Sequence, residues 1–179
     1  SGFFVSLGLT ENRRFVVIAS GDHVTTEVRL IDAANPTSEP RLVAPRQHGV
    51  EYSVHGHGDE LIILTNAGGA EDFKVMRTPA STPSREHWRD WVPHVPGRLI
   101  EGLLCFAGEV VRLEREAGLQ RIVIRHADDT EHAIALDEEA YALGLEPGFE
   151  YDTTTLRFSY SSMTTPEQIF DYDMRARTR

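Results

Sequence analysis

The chain repeats itself. A first set of short alternating stretches reads FFVSLGLT, RFVVIASG, TEVRLIDA and PRLVAP, and a second reads VEYSVHGH, ELIILTNA, DFKVMRTP and DWVPHV. A third follows as IEGLLCFAG, EVVRLERE, QRIVIRHA and HAIALD, and a fourth as YALGLEPG, TLRFSYSS and QIFDYDMR. The sets open at Phe3, Val50, Leu99 and Tyr141, a spacing of roughly 40–50 residues that is the period of a four-stranded β-propeller blade. A jelly roll or sandwich also supplies many short strands, but neither requires matching quartets.

Within each stretch the side chains alternate. Val28 and Leu30 share one face with Glu27, Arg29 and Ile31 on the other; Ile122 and Ile124 alternate with Arg121, Val123 and Arg125; Leu156, Phe158 and Tyr160 alternate with Arg157, Ser159 and Ser161. That is the period of a half-buried strand. No stretch keeps a helical period for three turns, and in PSREHWRDW the prolines Pro83 and Pro93 confine any helix to about a turn. The expected fold is all-β: one partial β-propeller domain over 1–179, with about four consecutive antiparallel blades at 3–48, 50–96, 99–137 and 141–179. The last blade is expected to be incomplete and the whole to be a piece of a larger ring. An open arc leaves apolar blade faces uncovered, so self-association is expected.

Charge narrows the partners. A formal net charge of −10, with Lys74 the one lysine and the arginines scattered, argues against a nucleic-acid surface. The longest apolar runs, such as Phe15–Ala19 and Leu61–Leu64, are far too short to span a bilayer, so no membrane partner is expected. The single cysteine, Cys105, rules out an intrachain disulfide, and its setting in GLLCFAG reads as a small buried hydrophobe. No basic stretch of a signal peptide opens the sequence, and a cytoplasmic location is expected.

The candidate chemistry is sparse. In VHGHGDE, His55 and His57 lie on the same side of an extended segment and offer two metal ligands, but zinc needs three or four and no third is near in sequence. The same segment reads more simply as a hairpin turn in which Gly56 and Gly58 supply positive φ beside Asp59. The Glu138–Glu139 pair would point apart on a strand or turn, which argues against a glycosidase-type carboxylate pair. NAGGA lacks the strand-to-helix setting of a phosphate loop and reads as a hairpin. There is no G-x-S-x-G nucleophile elbow, and Ser159, Ser161 and Ser162 belong to a patterned strand. Arg46 is expected in an ion pair, either between blades or towards another domain, and Met76, Met163 and Met174 as dispersed core or strand residues. No cofactor and no metal is expected.

Several stretches carry a family resemblance: TTEVRLIDAANP, PRQHGVEYSV, LTNAGGAEDFKVMRTP, EREAGLQRI and DTTTLRFSYSSMTTPEQIFDYDM. Together they resemble, nearly end to end, the propeller of the oligopeptidase B branch of the prolyl oligopeptidase family of serine peptidases. Thr26, where serine is usual, and the variant loop LEPGFEYD are small departures. The resemblance implies the later part of a seven-bladed propeller that gates a hydrolase domain of the same parent chain, which cleaves short basic peptides after Arg or Lys. It also implies that the catalytic Ser, Asp and His lie in that hydrolase domain, so no catalytic residue is assigned here and the chain alone is expected to be inactive. A stand-alone propeller-like interaction module remains the alternative.

Overall fold

A computed structural model describes residues 2–136, 141–148 and 150–179. The described residues form an all-β, partial propeller: three four-stranded antiparallel sheets and one three-stranded sheet, each built from strands consecutive in sequence. They hold no α-helix, only a 3-10 turn at Arg85–His87. The chain divides into two compact units, Ser1–Pro96 and Gly97–Arg179.

In the first unit, β1 (Phe4–Leu9), β2 (Phe15–Gly21), β3 (Thr26–Asp32) and β4 (Arg41–Ala44) form one sheet. The next contains β5 (Tyr52–His57), β6 (Glu60–Thr65), β7 (Lys74–Pro79) and β8 (Arg89–Val92). Their core joins Phe15, Val28, Leu30 and Val43 to Tyr52, Val54, Leu61, Ile63 and Trp88, the alternate positions that the pattern of each strand supplies. By contrast β1 is exposed along its length, with Phe4, Val5, Leu7 and Leu9 all open to solvent.

A polar pin fixes these two sheets together. The β3–β4 register slips between Val28 and Arg29, and such a bulge leaves backbone groups without ladder partners. The Tyr52 hydroxyl, arriving from β5, accepts from the Val28 N–H at 2.8 Å and the Ala44 N–H at 3.2 Å, and donates to the Ala44 carbonyl at 2.7 Å. Burial pushes the Tyr52 phenol up despite those backbone bonds, which keeps the donor in place. Its ring packs edge-on against Trp88, whose indole N–H donates to the Pro83 carbonyl.

In the second unit β9 (Arg98–Cys105), β10 (Glu109–Glu116), β11 (Leu119–His126) and β12 (Glu131–Ala133) form the third sheet. The fourth contains β13 (Tyr141–Glu146), β14 (Thr155–Ser162) and β15 (Gln168–Asp173), extended by an antiparallel bridge from Asp173 to Thr178. Val111, Ile122 and Ile124 of one sheet meet Leu143, Leu156, Phe158 and Tyr172 of the other. The pin here is Gln120: its side-chain carbonyl accepts from the Leu143 N–H at 2.7 Å, and its amide donates to Glu101 at 2.6 Å. Val123 is buried as well as Ile122 and Ile124, so β11 is covered on both faces where alternation alone suggested one.

Three expectations need correction. Met163 is 96% exposed, in the β14–β15 turn, and is not a core residue. Arg46 makes no ion pair between blades among the described residues; it donates to the Ser20 hydroxyl at 2.6 Å and lies over the Phe3 ring at 4.3 Å, a cation–π contact. Gly56 lies within β5 and its φ is not positive; of the two glycines only Gly58 turns, with φ 56°. The Glu138–Glu139 pair lies outside the described residues.

Replacing Tyr52 by Phe keeps the ring but strands two N–H groups and a carbonyl in the core. We expect Tyr52→Phe to cost about 2–4 kcal/mol, read as a lower urea midpoint at unchanged m-value; a midpoint equal to that of the unmodified chain would refute the pinning role.

Candidate functional site

The β5 strand places Ser53, His55 and His57 on one face, because side chains two apart on a strand point the same way. His55 Nδ1 lies 2.6 Å from Glu11 Oε1, and His55 Nε2 lies 3.0 Å from Ser53 Oγ. The other Glu11 oxygen accepts from the Gly56 N–H at 3.0 Å. Burial raises the Glu11 carboxyl, but the hydrogen bond and charge of His55, with the Gly56 N–H, outweigh it and hold the group below the usual range. An ionised Glu11 accepts from Nδ1–H, so Nε2 of the neutral ring is an acceptor for the serine hydroxyl.

The β1–β2 turn that delivers Glu11 is itself fastened to β5. The Arg14 guanidinium meets Asp59 Oδ1 at 2.6 Å and the Gly58 carbonyl at 2.9 Å, and the Asn12 amide donates to that carbonyl at 3.2 Å. Gly56 is required by this close approach, since a Cβ there would collide with the Asn12 side chain and Thr10. Sequence reasoning found His55 and missed Ser53 and Glu11. The Ser-x-His spacing on a strand was a readable signal for the first; nothing in the sequence points to a carboxylate 44 positions away.

The second unit concentrates charge on one face of the third sheet. Glu114 is fully buried between Arg112 Nε at 2.9 Å and Arg121 Nε at 2.8 Å. Arg112, also buried, forks onto both oxygens of Glu131 at 2.8 and 3.0 Å, and Arg125 adds a contact to Glu131 at 2.9 Å. Burial works to lower the Arg112 guanidinium, yet its bonds to Glu131 and Glu114 leave it raised. Buried charges persist only when paired in this way. The network joins β10, β11 and β12.

Next to it, Glu109 is buried and held by Arg175 Nε at 3.0 Å. His126 Nε2 lies 3.0 Å from His132 Nδ1, and His132 Nε2 lies 3.1 Å from the Tyr172 hydroxyl. This chain of polar contacts runs from the third sheet to the fourth. Burial, then the charges of Arg177 and His126, push the His132 imidazole down, so His132 favours its neutral form.

Of the serines singled out from the sequence, Ser159, Ser161 and Ser162 all lie on β14, and the Ser162 hydroxyl accepts from the Thr164 and Thr165 N–H groups. Cys105 is buried at the end of β9. NAGGA forms the β6–β7 connection, with Gly68 and Gly69 at positive φ.

Four-stranded antiparallel sheets in strict sequence order, pinned in pairs, define a β-propeller domain. The model of the prolyl oligopeptidase N-terminal beta-propeller domain matches residues 1–179. The chain belongs to that family. Dipeptidyl aminopeptidase BI of Pseudoxanthomonas mexicana is 35% identical over 177 residues, covering 99% of this chain and 24% of that protein. The human prolyl endopeptidase-like protein is 33% identical over 171 residues, covering 95% and 23%. Oligopeptidase B from Trypanosoma brucei, solved in its closed form with covalently bound antipain, superposes with a TM-score of 0.91 at 29% identity, covering 99% of this chain and 26% of that one. The chain thus spans about a quarter of the length of the relatives it matches.

Arg112, first by its hydrogen bond and then by its charge, holds the Glu131 carboxyl low. A carboxylate depressed in the folded state adds stability above its unfolded value, about 4.5, and that contribution is lost as pH falls through the folded value. We expect Glu131→Gln to be less stable than the unmodified chain at pH 7 and to lose less stability on acidification from pH 6 to pH 3. Parallel urea-midpoint curves for the two proteins would contradict this.

Proposed function

We propose that this chain is the substrate-gating propeller portion of a serine oligopeptidase that hydrolyses short peptides after Arg or Lys. The observation that carries the reading is the family match over residues 1–179, joined to the close likeness to an oligopeptidase B structure. The catalytic Ser, Asp and His belong, in this proposal, to a hydrolase domain of the same parent protein, and the 179-residue chain alone does not cleave peptides.

Physically, a ring of packed blades leaves a narrow central passage that excludes folded proteins. Closing the propeller onto the hydrolase domain shields the reacting acyl group from bulk water and completes the reacting constellation. The net charge of −10 adds attraction for peptides that carry Arg or Lys, raising encounter rates in a way that salt screens. Exposed apolar residues along β1 give the isolated chain a surface on which to self-associate.

The test is kcat/KM of the parent protein for a basic peptide amide and a neutral one, from low to high ionic strength. The proposal expects cleavage after Arg or Lys, with kcat/KM for the basic peptide falling as salt rises and that for the neutral peptide changing little. Cleavage with no preference for Arg or Lys would overturn the specificity, and a flat salt profile would remove the electrostatic part.

A further inference from the structure

We propose that Ser53, His55 and Glu11 form a nucleophilic site that accepts a small acyl group from an activated ester, with Ser53 as nucleophile, His55 as general base and Glu11 as the group that orients the imidazole. The inference stands on this chain's own geometry and does not depend on the peptidase reading.

The geometry meets four requirements of such a site. A serine nucleophile needs a base within hydrogen-bond reach, and Ser53 Oγ is 3.0 Å from His55 Nε2. The base needs a partner that fixes its tautomer, and Glu11 Oε1 is 2.6 Å from His55 Nδ1. The partner must be held, and the second Glu11 oxygen is bound by the Gly56 N–H while Arg14 and Asn12 tie the same turn to Gly58. The nucleophile must be reachable: Ser53 is exposed, whereas His55 and Glu11 are half-buried behind it.

Beside Ser53 lies a cavity of about 230 Å³ lined by Thr26, Glu51, Tyr52, Ser53, Leu64 and Phe73. Leu64 and Phe73 supply apolar wall, and Glu51 disfavours an anionic guest, so the cavity suits a small neutral or cationic acyl group. Phe73 holds a left-handed backbone with φ 65°, a strained conformation for an aromatic residue that persists where surrounding structure enforces it.

The step balances within these groups. Ser53 Oγ forms a bond to the ester carbonyl carbon as its proton moves to His55 Nε2, while Nδ1–H stays with Glu11. The carbon–oxygen bond to the alcohol then breaks, and the departing oxygen takes the proton from Nε2. Water, activated by the same nitrogen, releases the acyl group as a carboxylic acid and restores the serine.

The experiment treats the intact chain with p-nitrophenyl acetate and follows both nitrophenolate release and the acetylated positions by peptide mass mapping. Ser53 should be acetylated at least tenfold faster than any other hydroxyl, at a rate that rises with pH as a single deprotonation. His55→Gln should slow this about a hundredfold and remove the pH dependence, Glu11→Gln should slow it by about tenfold, and Ser53→Ala should abolish the adduct. Circular dichroism of each variant checks the fold, and acetylation of Lys74, the one lysine, serves as an internal standard that should not change. Acetyl groups spread over exposed hydroxyls without preference for Ser53, or a Ser53 rate unchanged in folded His55→Gln, would overturn the proposal. Because the readout is a covalent adduct on this chain, its failure leaves the peptidase reading untouched.

Discussion

Everything in this structure follows from the need of each twisted sheet to cover an apolar face. A four-stranded sheet of this size has alternate residues pointing to its two faces, and neither Val28 and Leu30 nor Ile122 and Ile124 find cover within their own sheet. Cover comes from the next sheet in sequence: Tyr52, Val54 and Ile63 in the first unit, Leu143, Leu156 and Phe158 in the second. Apolar burial is non-directional, so it brings sheets together without fixing their registry. The polar pins do that. Tyr52 satisfies the backbone at a bulge of the preceding sheet, and Gln120 captures the N–H of Leu143 in the following one.

Charge is handled by the same economy of pairing. Glu114 and Arg112 are buried, and isolated they would be prohibitively costly in a low-dielectric setting. Each is offset by at least two close partners, so the third sheet carries a buried ionic network as a strap across β10, β11 and β12. The turn region around Glu11, His55 and Arg14 works differently. Its groups are half-exposed, lie where two strand connections meet, and leave a serine hydroxyl facing solvent beside an imidazole nitrogen. Structural pairing and chemical competence differ here only in which group remains reachable.

The fold was largely legible because strand alternation and a 40–50-residue period are properties of contiguous sequence. The quartets, the three-residue 3-10 turn and the burial of Phe158 and Leu30 all follow from spacing. What escaped depended on distant encounters. Glu11 meets His55 across two strand connections, and Gly56 is glycine because Asn12 and Thr10 approach it, not because the chain turns there. Arg46 finds an aromatic ring and a hydroxyl in place of an ion pair between blades. Val123 is buried because β11 is covered on both faces, which alternation in one strand cannot reveal.

Neighbouring sheets are stable through the face they share. Hydrogen exchange on a Leu156→Ala variant tests this most directly, because Leu156 is a fully buried residue of the fourth sheet packed in a core with Ile122 and Ile124 of the third. Exchange should quicken for amides in β11 as well as in β14, since opening one sheet uncovers the other. Acceleration confined to β13, β14 and β15, with β11 unchanged, would contradict it.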